Sequence, residues 1–178
     1  MAGAVGAAFF GCTRSSNFGC AEGGGASFGL VANSVAARQL AIRADVEIPE
    51  RHMRMTMSIR RNTDKALPAS HTMEVMFTLP ADFDQGGVGN VPGVLMKANE
   101  QARGVPLAGL AVKVTNGYFL IGLSAVDVDL QRNLEMLKGR DWFDIPIVYT
   151  SSKRAILALE KGTPGQRAFE EAFRAWGE

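Results

Sequence analysis

Residues 107–124 read LAGLAVKVTNGYFLIGLS, two apolar runs joined by Asn116-Gly117. Asn-Gly between apolar runs is a strong hairpin signal, because a tight type I′ turn needs positive φ at both central residues. The pattern predicts Val114 opposite Phe119 and one wholly apolar face, formed by Leu110, Val112, Val114, Phe119, Ile121 and Leu123. A one-residue shift would move this set into water, so we expect the hairpin face to be core.

Three segments upstream alternate apolar and polar residues with a period of two: 40–48, 53–60 and 72–79. Such alternation is typical of antiparallel strands that have one solvated face. The second segment places Met53, Met55 and Met57 on its apolar face. Methionines can form a soft binding stripe, but at this spacing core packing is the favoured interpretation.

The remaining signals complete a mainly β fold. Residues 94–98 predict a short strand, and 142–150 with 154–159 predict a strand pair in which Pro146 indicates an edge position or a bulge. Ser124 and Thr163 are the expected N-caps of two helices. We therefore predict an antiparallel β-sandwich or a strongly bent sheet, with one inserted helix at about 125–138 and a C-terminal helix at about 164–176.

Composition divides the chain into two parts. The chain has 178 residues and a net charge of +1, so it has no overall positive field that would attract nucleic acid. It also has no apolar run long enough to span a membrane. Residues 1–38 are rich in Gly, Ala and Ser, carry both cysteines (Cys12 and Cys20) and contain no clear signal peptide. We expect 1–38 to be a disordered leader and 39–178 to be a single β-rich domain, so that a chain beginning near Gln39 keeps its stability.

Catalytic and cofactor motifs are scarce, and no residue is predicted to be catalytic. His52 and His71 could form a metal pair, but two surface histidines without a cofactor are favoured. Asp82 and Asp84 resemble the start of a calcium loop that lacks its later acidic ligand, which favours a solvated loop. The glycines of 86–93 could cradle a phosphate, but irregular backbone is favoured because no helix start follows.

Polar residues near these loops are the candidate ligand-binding set: Asp82, Asp84, Asn90, Lys97, Asn99, Arg103, Arg140, Trp142 and Asp144. An indole beside paired charges can form an interaction patch. Burial of Trp142 in the core is the favoured alternative.

Several long motifs resemble an uncharacterised family of bacterial envelope proteins over residues 40–176. They are 43–50 (RADVEIPE), 60–64 (RRNTD), 67–71 (LPASH), 90–93 (NVPG), 106–124, 142–146 (WFDIP) and 161–165 (KGTPG). The chain is also similar in layout to secreted β-sandwich proteins of the invasion-associated locus B type. The resemblance implies a membrane-anchored or exported domain, periplasmic or envelope-associated, with no assigned chemistry. The family has a charged, aromatic β segment where residues 1–38 stand, which suggests a shifted reading frame or a misplaced start.

Two functions remain open from the sequence. The favoured one is a non-catalytic domain of the cell envelope that binds a protein or a small ligand, because acid–base and nucleophile motifs are missing. The alternative is a hydrolase or carbohydrate-active enzyme that uses Asp82, Asp84 or Glu100 in a sandwich cleft. Self-association through an exposed edge, such as the strand at 40–48, is a further expectation.

Overall fold

The computed structural model describes residues 5–11, 24–32 and 40–178, and side chains only within 27–30 and 40–178. The described residues form twelve β-strands, two α-helices and a short 3-10 helix at Pro49–Arg51. The strands are β1 (Val5–Gly11), β2 (Gly24–Ala32), β3 (Leu40–Ile48), β4 (Met53–Arg61), β5 (Ala69–Thr78), β6 (Val88–Asn90), β7 (Leu95–Lys97), β8 (Val105–Pro106), β9 (Gly109–Thr115), β10 (Tyr118–Ser124), β11 (Trp142–Tyr149) and β12 (Arg154–Glu160). The helices are α1 (Asp127–Gly139) and α2 (Gly162–Trp176).

The strands form one antiparallel path in the order β8-β7-β11-β12-β1-β2-β3-β4-β5-β10-β9, and β6 also pairs with β11. The two halves of this path bend towards each other in a sandwich-like arrangement, and they share one apolar core. The mainly β class, the inserted helix and the C-terminal helix predicted from the sequence are confirmed.

The two ends of the sheet meet at a corner formed by residues 107 and 108. β8 and β9 stand at opposite ends of the strand path, yet only these two residues separate them in the chain. The Leu107 N–H donates to the Val94 carbonyl at 3.0 Å, while the Ala108 carbonyl accepts from the Ser124 N–H at 2.9 Å. Asn133 of α1 reinforces the corner, since its side-chain amide accepts from the Ala108 N–H and donates to the Ala108 carbonyl, both at 2.8 Å.

The alternating segments form the core as expected. Their inward residues are buried: Ile42, Ala44, Val46 and Ile48 on β3, Met53, Met55, Met57 and Ile59 on β4, and Met73, Val75 and Phe77 on β5. The three methionines are therefore core residues. α2 buries its predicted apolar stripe of Phe169, Ala172, Phe173 and Trp176 in the same cluster.

The central hairpin forms, but its predicted register is wrong. Thr115 pairs with Tyr118, after which a β-bulge places Lys113 rather than Val114 opposite Phe119. This one-residue shift exchanges the two faces of β9, so Phe119 remains buried while Leu110 and Val112 lie in solvent. The predicted apolar face is therefore core only on β10.

Two segments within the predicted leader 1–38 form strands of the sheet. Residues 24–32 form β2, which pairs with β3 along its length, and residues 5–11 form β1 between β2 and β12. Phe28 is buried against Phe143 and Phe169, so β2 contributes an aromatic side chain to the core. Its composition hid this role, because one well-placed ring among glycines gives no periodic signal. The rest of 1–38, including both cysteines, lies outside the described residues, and the division of the chain at residue 39 stays a prediction.

Pro146 and the first residues of the two helices can be compared with the predictions made from local sequence signals. Pro146 lies in β11 at the gap between β7, which pairs with 142–144, and β6, which pairs with 148–149. On its other side β11 pairs with β12, and Pro146 lies opposite Ile156, so Pro146 stands in an inner strand beside a local gap in the ladder and not in an edge strand. Both helices begin without a side-chain cap, with Val126 and Lys161 at the N-cap positions, so the predicted capping roles of Ser124 and Thr163 are wrong.

Candidate functional site: a groove between the two helices

A groove of about 700 Å³ lies between the C-terminal end of α1 and one face of α2. Its lining residues are Lys138, Gly139, Asp141, Gln166, Phe169, Glu170, Phe173, Arg174 and Glu178. A second cleft of about 410 Å³, at the turn between β3 and β4, is lined by Glu47, Pro49, His52, Arg54, Thr78, Leu79 and Pro80. Glu47 and Arg54 of that cleft are already ion-paired at 2.9 Å, which makes the helix groove the better candidate.

The helical repeat of α2 builds one wall and the floor of the groove. Phe169 and Phe173 are four residues apart and buried, so they stack along the same face as the floor. The opposite wall is the end of α1, where Gly139 contributes no side chain. A Cβ added at Gly139 would have no atom within 4 Å, so this wall is open.

Two of the three carboxylates that line the groove already have partners. The Asp141 carboxylate accepts a hydrogen bond from the Gln166 side-chain amide at 2.9 Å. The Glu178 carboxylate lies 3.4 Å from Arg61 Nε and 3.1 Å from His71 Nε2. Among the described residues, only Glu170 of the lining carboxylates has no such partner.

The two basic side chains of the groove are available for an anion. Lys138 Nζ stands 5.1 Å from the centre of the Phe173 ring, a cation–π contact, and forms no ion pair with a described carboxylate. Arg174 is exposed and forms no ion pair with a described residue. An aromatic floor beside two basic groups suits a ligand that is apolar at one end and anionic at the other.

Beneath the floor lies a buried ammonium group. Lys161 is only 1% exposed, and its Nζ donates to the carbonyl of Leu137 near the end of α1 while lying 4.1 Å from the Phe169 ring centre. Burial lowers the pKa of Lys161 to about 8, and the nearby negative charge of Asp141 opposes this shift. The cation stabilises the negative end of the α1 dipole and ties α1 to α2, so it supports the groove from within.

His71 also lies behind the groove, which corrects the expectation of two surface histidines. It is 1% exposed and packs against Trp176, with 5.3 Å between ring centres. Burial lowers the pKa of His71, while the carboxylate of Glu178 acts in the opposite direction. His52 is exposed in a left-handed turn, and the described residues contain no group of three potential metal ligands.

Three of the residues predicted to bind a ligand meet beside β11. Lys97 pairs with Trp142 across β7 and β11, and its Nζ lies 2.8 Å from the Asp144 carboxylate and 5.7 Å from the Trp142 ring centre. Lys97 and Trp142 are buried, and a Cβ on Gly104 would lie 3.2 Å from Asp144 Oδ2. The charge of Lys97 is therefore satisfied inside the protein. Arg140 is nearby, donating to the Met96 carbonyl at 3.0 Å.

The structure does not bring the other predicted residues into this cluster. Asp82, Asn90 and Arg103 are exposed. Asp84 accepts a hydrogen bond from the Gln85 side chain at 2.6 Å, and Asn99 caps its own turn by accepting from the Ala102 N–H at 2.9 Å. None of them lines either described cleft. Whether they bind a ligand stays a prediction.

The groove itself was missed by the sequence reasoning. Gln166, Glu170, Arg174 and Glu178 follow one another at four-residue steps beside the predicted apolar stripe. Such a polar row is usually the solvated flank of a helix. The signal that could have identified it is Gly139 at the end of α1, because a glycine there leaves room beside whatever helix packs against it.

No protein-family model, curated protein or solved structure matches this chain. Within the described residues, no helix is both long enough and apolar enough to cross a membrane. A functional assignment therefore has to come from the chemistry of the groove.

Proposed function

We propose that this chain is a non-catalytic ligand-binding domain of the bacterial cell envelope, and that the groove between α1 and α2 binds a small amphipathic anion. The observation that carries the proposal is the aromatic floor of Phe169 and Phe173 beside Lys138 and Arg174, two cations without a carboxylate partner among the described residues. The apolar part of the ligand packs on the rings, and its acid group faces the cations.

The lining chemistry favours binding over catalysis. The described lining includes no serine, cysteine or histidine that could act as nucleophile or base. Asp141 and Glu178 are held by Gln166, Arg61 and His71, which restricts their use in proton transfer. The carboxylates of the hydrolase alternative, Asp82, Asp84 and Glu100, line neither described cleft, so nothing specific favours that alternative.

The binding test uses 1-anilinonaphthalene-8-sulfonate, which combines aromatic rings with a sulfonate, as a fluorescent probe of the folded full-length chain. We expect one saturable site. Arg174→Gln should weaken binding about tenfold or more, since a hydrogen bond to a charged group contributes about 1.5–3 kcal/mol. Arg167→Gln is the matched control, because Arg167 is an exposed arginine of the same helix outside the groove lining.

A steric variant tests the location independently of charge. Gly139→Trp fills the open wall, where a new Cβ meets no atom within 4 Å, so it should block the probe while preserving the melting temperature. Gly29→Trp is the control, since Gly29 is an exposed glycine with equal space on the sheet. Equal affinity of the Gly139 and Gly29 variants, or of the Arg174 and Arg167 variants, would contradict binding in the groove.

The location in the envelope rests on the sequence resemblance over residues 40–176. Cells that naturally produce the protein can be separated into periplasmic, membrane and cytosolic fractions and probed with an antibody. Recovery with the periplasmic or membrane marker is expected. Recovery with the cytosolic marker alone would remove the envelope part of the proposal and leave the groove untouched.

A further inference from the structure

The charged side chains that line the helix groove are divided between two ends. Phe173 lies at the basic end, where Lys138 Nζ is 5.1 Å from the centre of its ring and Arg174 is the next residue of α2. Phe169 lies at the acidic end, where Glu170 follows it in the helix. The centres of the two rings are 6.1 Å apart. One aromatic floor therefore joins a basic end to an acidic end.

The other two carboxylates of the groove lining are balanced by cations that lie behind it. Arg61 Nε is 3.4 Å from the Glu178 carboxylate. The Asp141 carboxylate acts on the buried ammonium group of Lys161, since its negative charge opposes the lowering of the Lys161 pKa by burial. Each of these carboxylates thus has a cation of the protein to offset its charge.

Three charged groups of the lining have no ionic partner among the described residues: Lys138, Glu170 and Arg174. Glu170 and Arg174 are four residues apart, a spacing that allows an ion pair on a helix, but these two described side chains do not form one. Four residues correspond to about 6 Å along the axis of an α-helix. A ligand that matches all three groups has an acid group at the basic end and a positive charge about 6 Å away.

We propose that the ligand of this groove is an amphipathic acid that also carries an ammonium group, and that Glu170 selects for that group. The inference rests on the proposed function, because it requires the acid group to face Lys138 and Arg174. The ammonium group then pairs with Glu170, and the apolar part of the ligand covers both phenylalanine rings. An acid without the ammonium group brings its negative charge near a carboxylate that stays unpaired, so it binds more weakly.

Two fluorescent probes that differ in one group test the inference on the folded full-length chain. Nα-dansyl-lysine combines a naphthalene ring system, a carboxylate and an ammonium group, whereas dansyl-norleucine has the same backbone and no ammonium group. The wild-type protein should bind dansyl-lysine about fivefold more tightly, as one partly exposed ion pair contributes. Glu170→Gln should abolish this preference, because it weakens the binding of dansyl-lysine and removes the carboxylate that repels dansyl-norleucine.

Glu171→Gln is the matched control, because Glu171 is an exposed glutamate of the same helix outside the groove lining. This variant should keep the wild-type preference for the ammonium group, and circular dichroism checks that both glutamate variants are folded. Arg174→Gln should weaken the binding of both probes, which reports on the acid-binding end separately from Glu170.

The combined results separate the failure of the inference from that of the proposed function. If neither probe binds, or if Arg174→Gln weakens the binding of neither, the proposed function fails and the inference fails with it. If Arg174→Gln weakens both probes but the wild type does not prefer dansyl-lysine, or Glu170→Gln keeps the preference, the inference alone is overturned.

Discussion

Lys161 is the residue whose environment departs most from what its side chain prefers. An ammonium group enclosed by Phe143 and Phe169 loses its hydration, and one carbonyl hydrogen bond replaces only part of it. This burial is not visible in the sequence, because Lys161 precedes a helix at a position where lysines normally face water. Its burial follows from the packing of α2 against the end of α1, which is a non-local contact.

The pH dependence of stability should report this buried charge. Unfolding restores Lys161 to its ordinary pKa of 10.5, whereas the folded value is about 8. Between these values the unfolded chain binds more protons, so the free energy of unfolding should rise with pH, by up to about 3 kcal/mol in total. Urea unfolding from pH 7.5 to 9.5 measures the slope, below the range where the tyrosines titrate.

Lys161→Met should abolish this slope. Methionine keeps the length and packing of the side chain without the charge, so we expect the variant to be about 1–2 kcal/mol more stable than the wild type at pH 7.5, after the lost hydrogen bond to Leu137 is counted. Lys153→Met, at an exposed turn position, is the control and should keep the wild-type slope. The same slope in all three proteins would show that Lys161 is not buried as a cation.

At the scale of elements, prediction succeeded where the signal was local and repeated. The alternation of β3 to β5 and the stripe of α2 each identify a buried face from one segment alone. The register of β9 could not be predicted in this way. A bulge at Lys113–Val114 reverses which residues of β9 face the core, while the alternation of residue types in the sequence stays the same. The groove could not be predicted from the sequence either, since it depends on how the end of α1 packs beside α2.

The corner at residues 107–108 is the element contact that we expect to matter most for the bent sheet. Asn133 is 1% exposed and satisfies both backbone groups of Ala108, as a neighbouring strand would. Asn133→Ala leaves the half-buried Ala108 N–H without this partner and should lower the free energy of unfolding by about 1–3 kcal/mol.

Gln131→Ala is the matched variant for the corner. Gln131 is exposed on the same helix, and glutamine and alanine are both good helix formers, so the change should stay within about 0.5 kcal/mol. Denaturant midpoints of the two variants give the comparison directly. If Asn133→Ala were as stable as Gln131→Ala, the side chain would not be holding the corner.

At the scale of the whole molecule, the two halves of the sheet are joined through the segment that sequence reasoning set aside. β1 connects β12 to β2, and β2 connects to β3, so the path from one edge to the other runs through residues 5–11 and 24–32. Many of these residues are glycine, alanine or serine, and they contribute backbone pairing on both sides of each strand. Composition underestimates such strands, because it counts side chains and not hydrogen bonds.

A chain that begins at Gln39 should therefore be much less stable than the full-length protein, contrary to the expectation from composition. It would lack Phe28, and removal of a buried phenylalanine side chain alone costs about 3–5 kcal/mol. It would also leave β3 and β12 with unpaired edges beside an apolar core, which favours aggregation.

Urea unfolding and light scattering measure the two effects, and Phe28→Ala in the full-length chain separates the loss of the ring from the loss of the strands. We expect the shortened chain to be less stable than Phe28→Ala, because the point variant keeps every backbone pair of β2. A shortened chain with the midpoint of the full-length protein would show that the sheet closes without β1 and β2.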